Sequence, residues 1–273
     1  IDVVNNSDPA APLKVVLHDG LIGSTLQEFH GDFSALDRFD TDSRRLPFAL
    51  AKPNAKELII GAAGGHEILA GLYFGAGSIT AVEINPVTCS LVRETFADFT
   101  GHLANYPNVR YVNDEGRSFL ARCKDRFDII NFVSPDSYSA TNAATSSAFV
   151  LCESYLYTVE MVMESFNHLT DDGVICMELG EFDYERRPNR TASYVATARE
   201  ALRRMGIDDF EKHVVVVRAP GLHVTSTILV KKSAFTTAEL DAVYASASKI
   251  GNAVVAHAWG RTSNEGPVNQ IIS

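Results

Sequence analysis

The residues able to do chemistry in this chain recur in a fixed order. Gly61, Gly64 and Gly65, with only Ala62 and Ala63 between them, let a backbone approach a ligand closely and present its N–H groups at the start of a helix. About twenty residues further on, Glu83 ends an apolar stretch, where an acidic side chain accepts hydrogen bonds from ribose hydroxyls in nucleotide-binding βαβ units. Asp114 and Glu115, and then Asp136, Glu178 and Glu181, follow further apolar runs. Carboxylates so placed can hold a cation or remove a proton. The glycines with Glu83 imply a nucleoside-containing ligand, while for the turn alone tight strand-to-helix geometry is the competing explanation.

Strands buried on both faces and connecting helices must position these groups. Leu58, Ile59 and Ile60 form an apolar run without polar alternation, as in a parallel sheet. Glu67 to Tyr73 carries apolar residues at helical spacing, and Thr80 to Ile84 reads as the next strand. Asn85-Pro86 opens a helix through Val92 to Phe99. Val109 to Val112 and Phe127 to Phe132 are strands, with Arg117 to Arg122 helical between them. This alternation predicts an α/β fold with a doubly wound, mostly parallel sheet and ligands at the C-terminal strand edges. Before it, Leu13 to Leu17, the turn His18-Asp19-Gly20, and Leu21 to Phe29 read as a β-hairpin. Ile1 to Pro12 reads as a loosely held lead-in. Ser134 to Ser147 is a polar stretch in the position of a lid or substrate-contacting loop. A helix over Tyr157 to Leu169 precedes a turn at Asp171-Asp172-Gly173 and a strand from Val174 to Glu178. Thr191 to Met205 is helical, Val214 to Arg218 and Thr225 to Lys231 close the sheet as an antiparallel pair, and Phe235 to Ile250 is a last helix. The expected division is a hairpin element and linker over 1–50, a ligand-binding Rossmann-like domain over 51–250, and a tail over 251–273.

At 273 residues the chain can bury a large core. It has 24 Lys and Arg against 34 Asp and Glu, a net charge of -10, which argues against a nucleic-acid partner and is compatible with a cationic substrate. Cys89, Cys123, Cys152 and Cys176 show no metal-ligand spacing and read as reduced thiols, and no metal is expected. No apolar run approaches the roughly twenty residues that span a bilayer, so the chain itself reads as soluble and cytoplasmic. Because it begins with Ile and ends in a polar stretch, a membrane tether outside it stays open.

The order hairpin, GAAGGHE, VEIN, NDEGRSF, FDIINF, LYTVEM and DDGVICMEL resembles the spermidine synthase-like branch of the class I S-adenosylmethionine (AdoMet) transferases, over roughly Leu13 to Phe235. Bacterial members in which such a domain follows membrane helices are similar through the segment TSSAFVLCESYLYTVE. The resemblance implies a Rossmann-like class I methyltransferase fold and AdoMet or decarboxylated AdoMet as cofactor. It places that cofactor on Gly61, Ala62, Ala63, Gly64 and Gly65, on Glu83 and Ile84 at the ribose, on Asp114, Glu115 and Gly116 at the adenine, and on Val133 and Ser134. It also implies a small-molecule acceptor, a polyamine or other cation, and allows a homodimer.

Departures from the family pattern are specific. The family's glycine loop contains an Asp where this chain has Gly64. Its D-S-S-D-like strand end aligns Val133 with the first, proton-accepting Asp and Asp136 with the second, and Val133 can neither accept a proton nor pair with an ammonium. The family's tyrosine-and-acid pair is absent around Phe39 to Arg45. Standard spermidine synthesis is therefore not expected. AdoMet is already an electrophile, so a transferase must mainly orient a nucleophile and remove a proton. The candidate bases are Asp136, Glu153, Glu178 and Glu181; His66 could touch the ligand, and Tyr138 and Tyr155 could wall the pocket. Three readings stay open: a transferase acting on an amine or cation, an AdoMet-dependent methyltransferase for another nucleophile, and a non-catalytic AdoMet or nucleoside sensor. A nicotinamide oxidoreductase is less well supported, since no Tyr-Lys or His-acid arrangement stands out.

Overall fold

The computed structural model of the chain describes residues 1–5, 13–18, 21–133, 155–221, 224–262 and 265–273. Its centre is an eight-stranded sheet built from β4 (Lys56–Ile60), β5 (Ser78–Glu83), β6 (Val109–Asn113), β7 (Phe127–Val133), β8 (Leu169–Glu181), β9 (Val214–Ala219), β10 (Val224–Lys231) and β11 (Val254–His257). The order is β11-β9-β10-β8-β7-β4-β5-β6. The pairs β4/β5, β5/β6, β4/β7 and β7/β8 are parallel, and β8/β10, β10/β9 and β9/β11 are antiparallel. After β4 the chain moves outward through β5 and β6, then returns to β7 on the other flank, so the direction switches between β4 and β7. A crevice opens at the C-terminal ends of the strands at such a point.

Both sheet faces are covered, which is why β4 and β7 lack polar alternation. On one face α3 (Gly116–Arg122), α4 (Val159–Asn167), α5 (Asn189–Arg204) and α7 (Pro267–Ile272) enclose a core that includes Ile60, Ile130, Phe132, Met177 and Tyr194. The other face is covered by α1 (His66–Tyr73), α2 (Pro86–Ser90), α6 (Thr237–Ala247) and a chain of 3₁₀ turns, Phe33–Thr41, Ser43–Arg45 and Pro47–Ala49. Ends are fixed locally. The Asn85 side chain accepts from Val87 N at 2.9 Å to start α2, and Thr236 with Glu239 forms a capping box on α6. Cys89, Cys123 and Cys176 are free thiols. Among the described residues no helix is long and apolar enough to cross a membrane.

Several sequence expectations change. The lead-in contains β1 (Asp2–Asn5), paired antiparallel to β2 (Leu13–His18), which pairs in turn with β3 (Leu21–Gln27); a strand edge supplies partners that local composition does not reveal. The turn expected at Asp171-Asp172-Gly173 lies within β8, whose register jumps from Phe127↔Leu169 to Ile129↔Val174. The surplus residues bulge outward with both aspartates exposed. The helix after Pro86 passes into a π turn at Leu91–Thr95. The expected tail over 251–273 supplies edge strand β11 and α7, and Val268 and Ile272 join the core.

Candidate functional site

The glycine turn between β4 and α1 is held from three sides. Gly61 and Ala62 donate to Val82 O at 2.9 and 3.0 Å, tying the turn to β5. Ala63 N donates to Glu83 Oε2 at 2.9 Å and Asn85 N to Glu83 Oε1 at 2.7 Å. The third restraint is the N-terminal hairpin: Gly64 N donates to Ser24 Oγ at 3.1 Å, and a Cβ on Gly64 would lie 1.9 Å from Thr25 O. Gly64 is therefore a glycine because a strand crosses it. Ala63 adopts a φ of 43°, a left-handed conformation that costs a residue with a Cβ roughly 1 kcal/mol or more. Its carbonyl accepts from Tyr111 OH at 2.5 Å.

Glu83 is only 6% exposed, so its first role here is to brace the turn. A carboxylate has about four acceptor sites, and bracing the turn is compatible with meeting ribose hydroxyls. The following residue, Ile84, is 63% exposed and offers an apolar surface at the strand end. Asn113 Nδ2 donates to Glu83 O at 2.9 Å and Ile84 O at 3.1 Å, and Asp114 N to Glu83 O at 3.0 Å. The Asp114 carboxylate accepts from Glu115 N at 2.9 Å and pairs with Arg122. Glu115 caps α3, accepting from Arg117 N at 2.9 Å and Ser118 N at 2.8 Å. Burial pushes its carboxyl up, but these amides outweigh burial and hold it below the ordinary value. At Gly116 a Cβ would lie 2.6 Å from Ile60 Cγ2, so its lack of a side chain seats α3 on β4.

The candidate bases separate. Val133 ends β7 and is in register with Glu178 on β8, while a Cβ on Gly61 would lie 3.1 Å from Val133 O. Gly61 and Val133 thus lie together at the ends of β4 and β7, and Glu178 stands level with Val133, three residues before the end of β8. Glu178 is 9% exposed and accepts from Thr227 Oγ1 at 3.3 Å. Burial pushes its carboxyl up, opposed mainly by the nearby Arg44 guanidinium. Glu181, three residues on, is on the opposite face by strand alternation. There it accepts from Thr191 N at 2.6 Å and Thr191 Oγ1 at 2.8 Å, in the first turn of α5. Glu181, one of the expected bases, thus has one carboxyl oxygen engaged at a helix start. Ser134, Asp136, Tyr138 and Glu153, with the whole Ser134 to Ser147 stretch, lie outside the described residues, as does the side chain of Tyr155. No cluster of metal-ligating side chains occurs among the described residues.

Sequence spacing missed a charged cluster between the 3₁₀ turns and α1. Arg44 Nε donates to Glu67 Oε1 at 2.9 Å, and its Nη1 reaches Asp42 Oδ1 and Oδ2 at 3.0 and 3.1 Å. Glu67 is the second residue of α1 and almost fully buried. An acid so placed in an apolar helix requires a partner, and that was the available signal. Beside it, His66 Nε2 lies 3.5 Å from Arg38 Nη2. Burial first, then Arg44, pushes the His66 imidazole down to about 4. Glu67, Glu178 and Asp42 therefore surround one guanidinium at the root of the glycine turn.

Comparison with known proteins agrees with this architecture. The chain superposes on the spermidine synthase from Thermotoga maritima with a TM-score of 0.57 at 16% identity, covering 88% of this chain and 75% of that one. For a probable spermidine synthase from Corynebacterium glutamicum the values are 0.58 and 17%, over 92% and 84%. At such identities the likeness establishes the fold. In sequence, a polyamine aminopropyltransferase of Streptococcus pneumoniae is 28% identical over 154 residues, 55% of this chain and 49% of the relative. The chain therefore spans about half the length of the curated relatives it matches. The family model of the spermine/spermidine synthase domain matches residues 45–239, from the end of the Arg44 cluster through the glycine turn, Glu83, Glu178 and β10, and the chain belongs to that family.

Proposed function

We propose that this domain is a transferase that uses AdoMet or its decarboxylated form and delivers a carbon group to an amine or other cationic acceptor, a polyamine being the first class to test. The observation that carries this reading is the register Val133↔Glu178. Where β7 ends in a side chain without acid-base capacity, the neighbouring strand presents a buried carboxyl at the same level. In the reaction the acceptor nitrogen lone pair forms a bond to carbon as the carbon–sulfonium bond breaks, its electron pair staying on sulfur. The displaced N–H proton passes to Glu178. Burial that raises the carboxyl brings its proton affinity closer to that of the group it must deprotonate. Glu83 would hold the ribose beside the side-chain-free glycine turn, with Ile84 against the base.

Incubation of the purified domain with AdoMet or decarboxylated AdoMet and a panel of amines, with mass-spectrometric product analysis, tests the reading. S-adenosylhomocysteine reports methyl transfer and methylthioadenosine reports aminopropyl transfer. Glu178→Gln is expected to lower kcat by about a hundredfold to ten-thousandfold, with nucleoside affinity retained. Efficient putrescine aminopropylation is not expected, because Glu178 lies one strand over from the position at which the family pattern has its Asp. Parent-like turnover by Glu178→Gln would refute the base assignment. Nucleoside binding without either product would favour a sensing role.

A further inference from the structure

We infer that the cofactor pocket selects AdoMet with its carboxylate intact over decarboxylated AdoMet, and that Arg38 is the residue that reads this carboxylate; the inference rests on the proposal that the glycine turn holds an AdoMet-type nucleoside. Two arginines approach the start of α1, and their situations differ. Arg44 is saturated, with its Nε on Glu67 and its Nη1 on both oxygens of Asp42. Arg38 forms no ion pair among the described residues. Its guanidinium stacks over the Phe39 ring at 4.4 Å and lies 3.5 Å from His66 Nε2. His66 directly follows the glycine turn, so a half-buried cation stands at the exit of the turn with its forked donors unclaimed by any acid among the described residues.

The surrounding charges make an anion the better guest. His66 itself is held neutral near and above pH 5 by burial and by the two guanidiniums, so it adds a donor or acceptor without adding charge. The acids whose charge reaches Arg38 are Asp42, which is already bound to Arg44, and the exposed Asp37, which forms no ion pair with it. Burial is the largest influence on Arg38 and lowers its pKa, and the charges of Asp42 and Asp37 offset it only in part, as for a guanidinium partly withdrawn from water without a direct ion pair. A planar fork in such a position matches a carboxylate bidentately.

The turn itself offers a decarboxylated chain nothing in exchange. It runs Gly61-Ala62-Ala63-Gly64-Gly65 without an acidic side chain. At Gly64 none can be accommodated, since the Cβ would collide with Thr25 O at 1.9 Å. An aminopropyl group, carrying an ammonium and no carboxylate, would bring a second positive charge towards Arg38 and meet no acid on the turn. The aminocarboxypropyl group of AdoMet carries the same ammonium but adds a carboxylate, which the Arg38 fork can bind.

Calorimetric titration of the purified domain with AdoMet, decarboxylated AdoMet and methylthioadenosine decides the point. AdoMet is expected to bind at least about tenfold more tightly than decarboxylated AdoMet, in line with one charge-assisted contact. Arg38→Gln should bring that ratio close to one while leaving methylthioadenosine affinity unchanged, since that nucleoside has neither carboxylate nor ammonium. Arg38→Lys should retain part of the preference. Equal or tighter binding of decarboxylated AdoMet by the parent overturns the inference, and a preference that survives Arg38→Gln overturns the assignment to Arg38. Binding of methylthioadenosine with no preference between the other two leaves the nucleoside reading standing and removes only this inference. If none of the three binds, the nucleoside reading fails, and the inference with it.

Discussion

Replacing Glu57 by glutamine should stabilise this protein at neutral pH, and the size of the effect follows from its surroundings. Glu57 lies on β4 beneath α1, 1% exposed, and neither of its carboxyl oxygens has a hydrogen-bond partner. Space for it exists because Gly71 of α1 has no side chain: a Cβ there would lie 2.3 Å from Glu57 Oε2. Burial raises the carboxyl from an ordinary 4.5 to about 8; the Asn131 side chain opposes the rise and Glu67 adds to it. Between those two values the folded protein holds a proton that the unfolded chain has released. Stability is therefore fully present below the unfolded value and falls as pH rises, by about 1.36 kcal/mol per pH unit. At pH 7 the loss is about 3 kcal/mol. Glutamine is nearly isosteric, carries no titrating proton, and can donate to Asn131 Oδ1, which also lacks a partner. Urea unfolding of parent and Glu57→Gln between pH 4.5 and 9 should give curves that nearly coincide at the acid end and diverge by about 3 kcal/mol at neutrality. A difference independent of pH would show that Glu57 is not folded as a neutral acid, and a Gln variant less stable at pH 8 would refute the burial argument.

Other outcomes follow from the same contacts. Gly64→Ala should lower stability by about 1–3 kcal/mol, the cost of forcing a side chain against a backbone carbonyl; a melting temperature equal to the parent's would mean that the hairpin does not press on the turn. Glu181→Ala should destabilise by a similar amount by stranding the buried Thr191 N–H, while AdoMet affinity stays unchanged. That is the reverse of the pattern expected for Glu178→Gln, and a kcat loss at constant stability would identify Glu181 as a base instead. Glu83→Ala should weaken AdoMet binding in calorimetry by about tenfold or more, as a carboxylate bonded to hydroxyls implies, and parent-like affinity would refute the ribose assignment.

The parallel core, the glycine turn, Glu83 at the end of β5 and the family itself were legible in the amino-acid sequence. These signals are local: doubly buried strands leave unbroken apolar runs, a tight βα turn needs glycine, and helix starts carry Asn85, Thr158 or Thr236 beside them. What the sequence could not assign was the job of each polar group, because that depends on which face a strand turns and on what crosses it. Glu178 and Glu181 look alike in the sequence, yet strand alternation sends one towards Arg44 and the other to the first turn of α5. Gly64 reads as a ligand-binding glycine, and only the crossing strand β3 shows that the hairpin excludes a side chain there. Asp2–Asn5 and Val254–His257 are strands only because β2 and β9 offer them open edges. The Arg44 cluster joins residues from three separate elements, Asp42 and Arg44 at the 3₁₀ turns, Glu67 on α1 and Glu178 on β8. No pattern along the chain could have announced it, since its members become neighbours only when the covering turns are laid on the sheet.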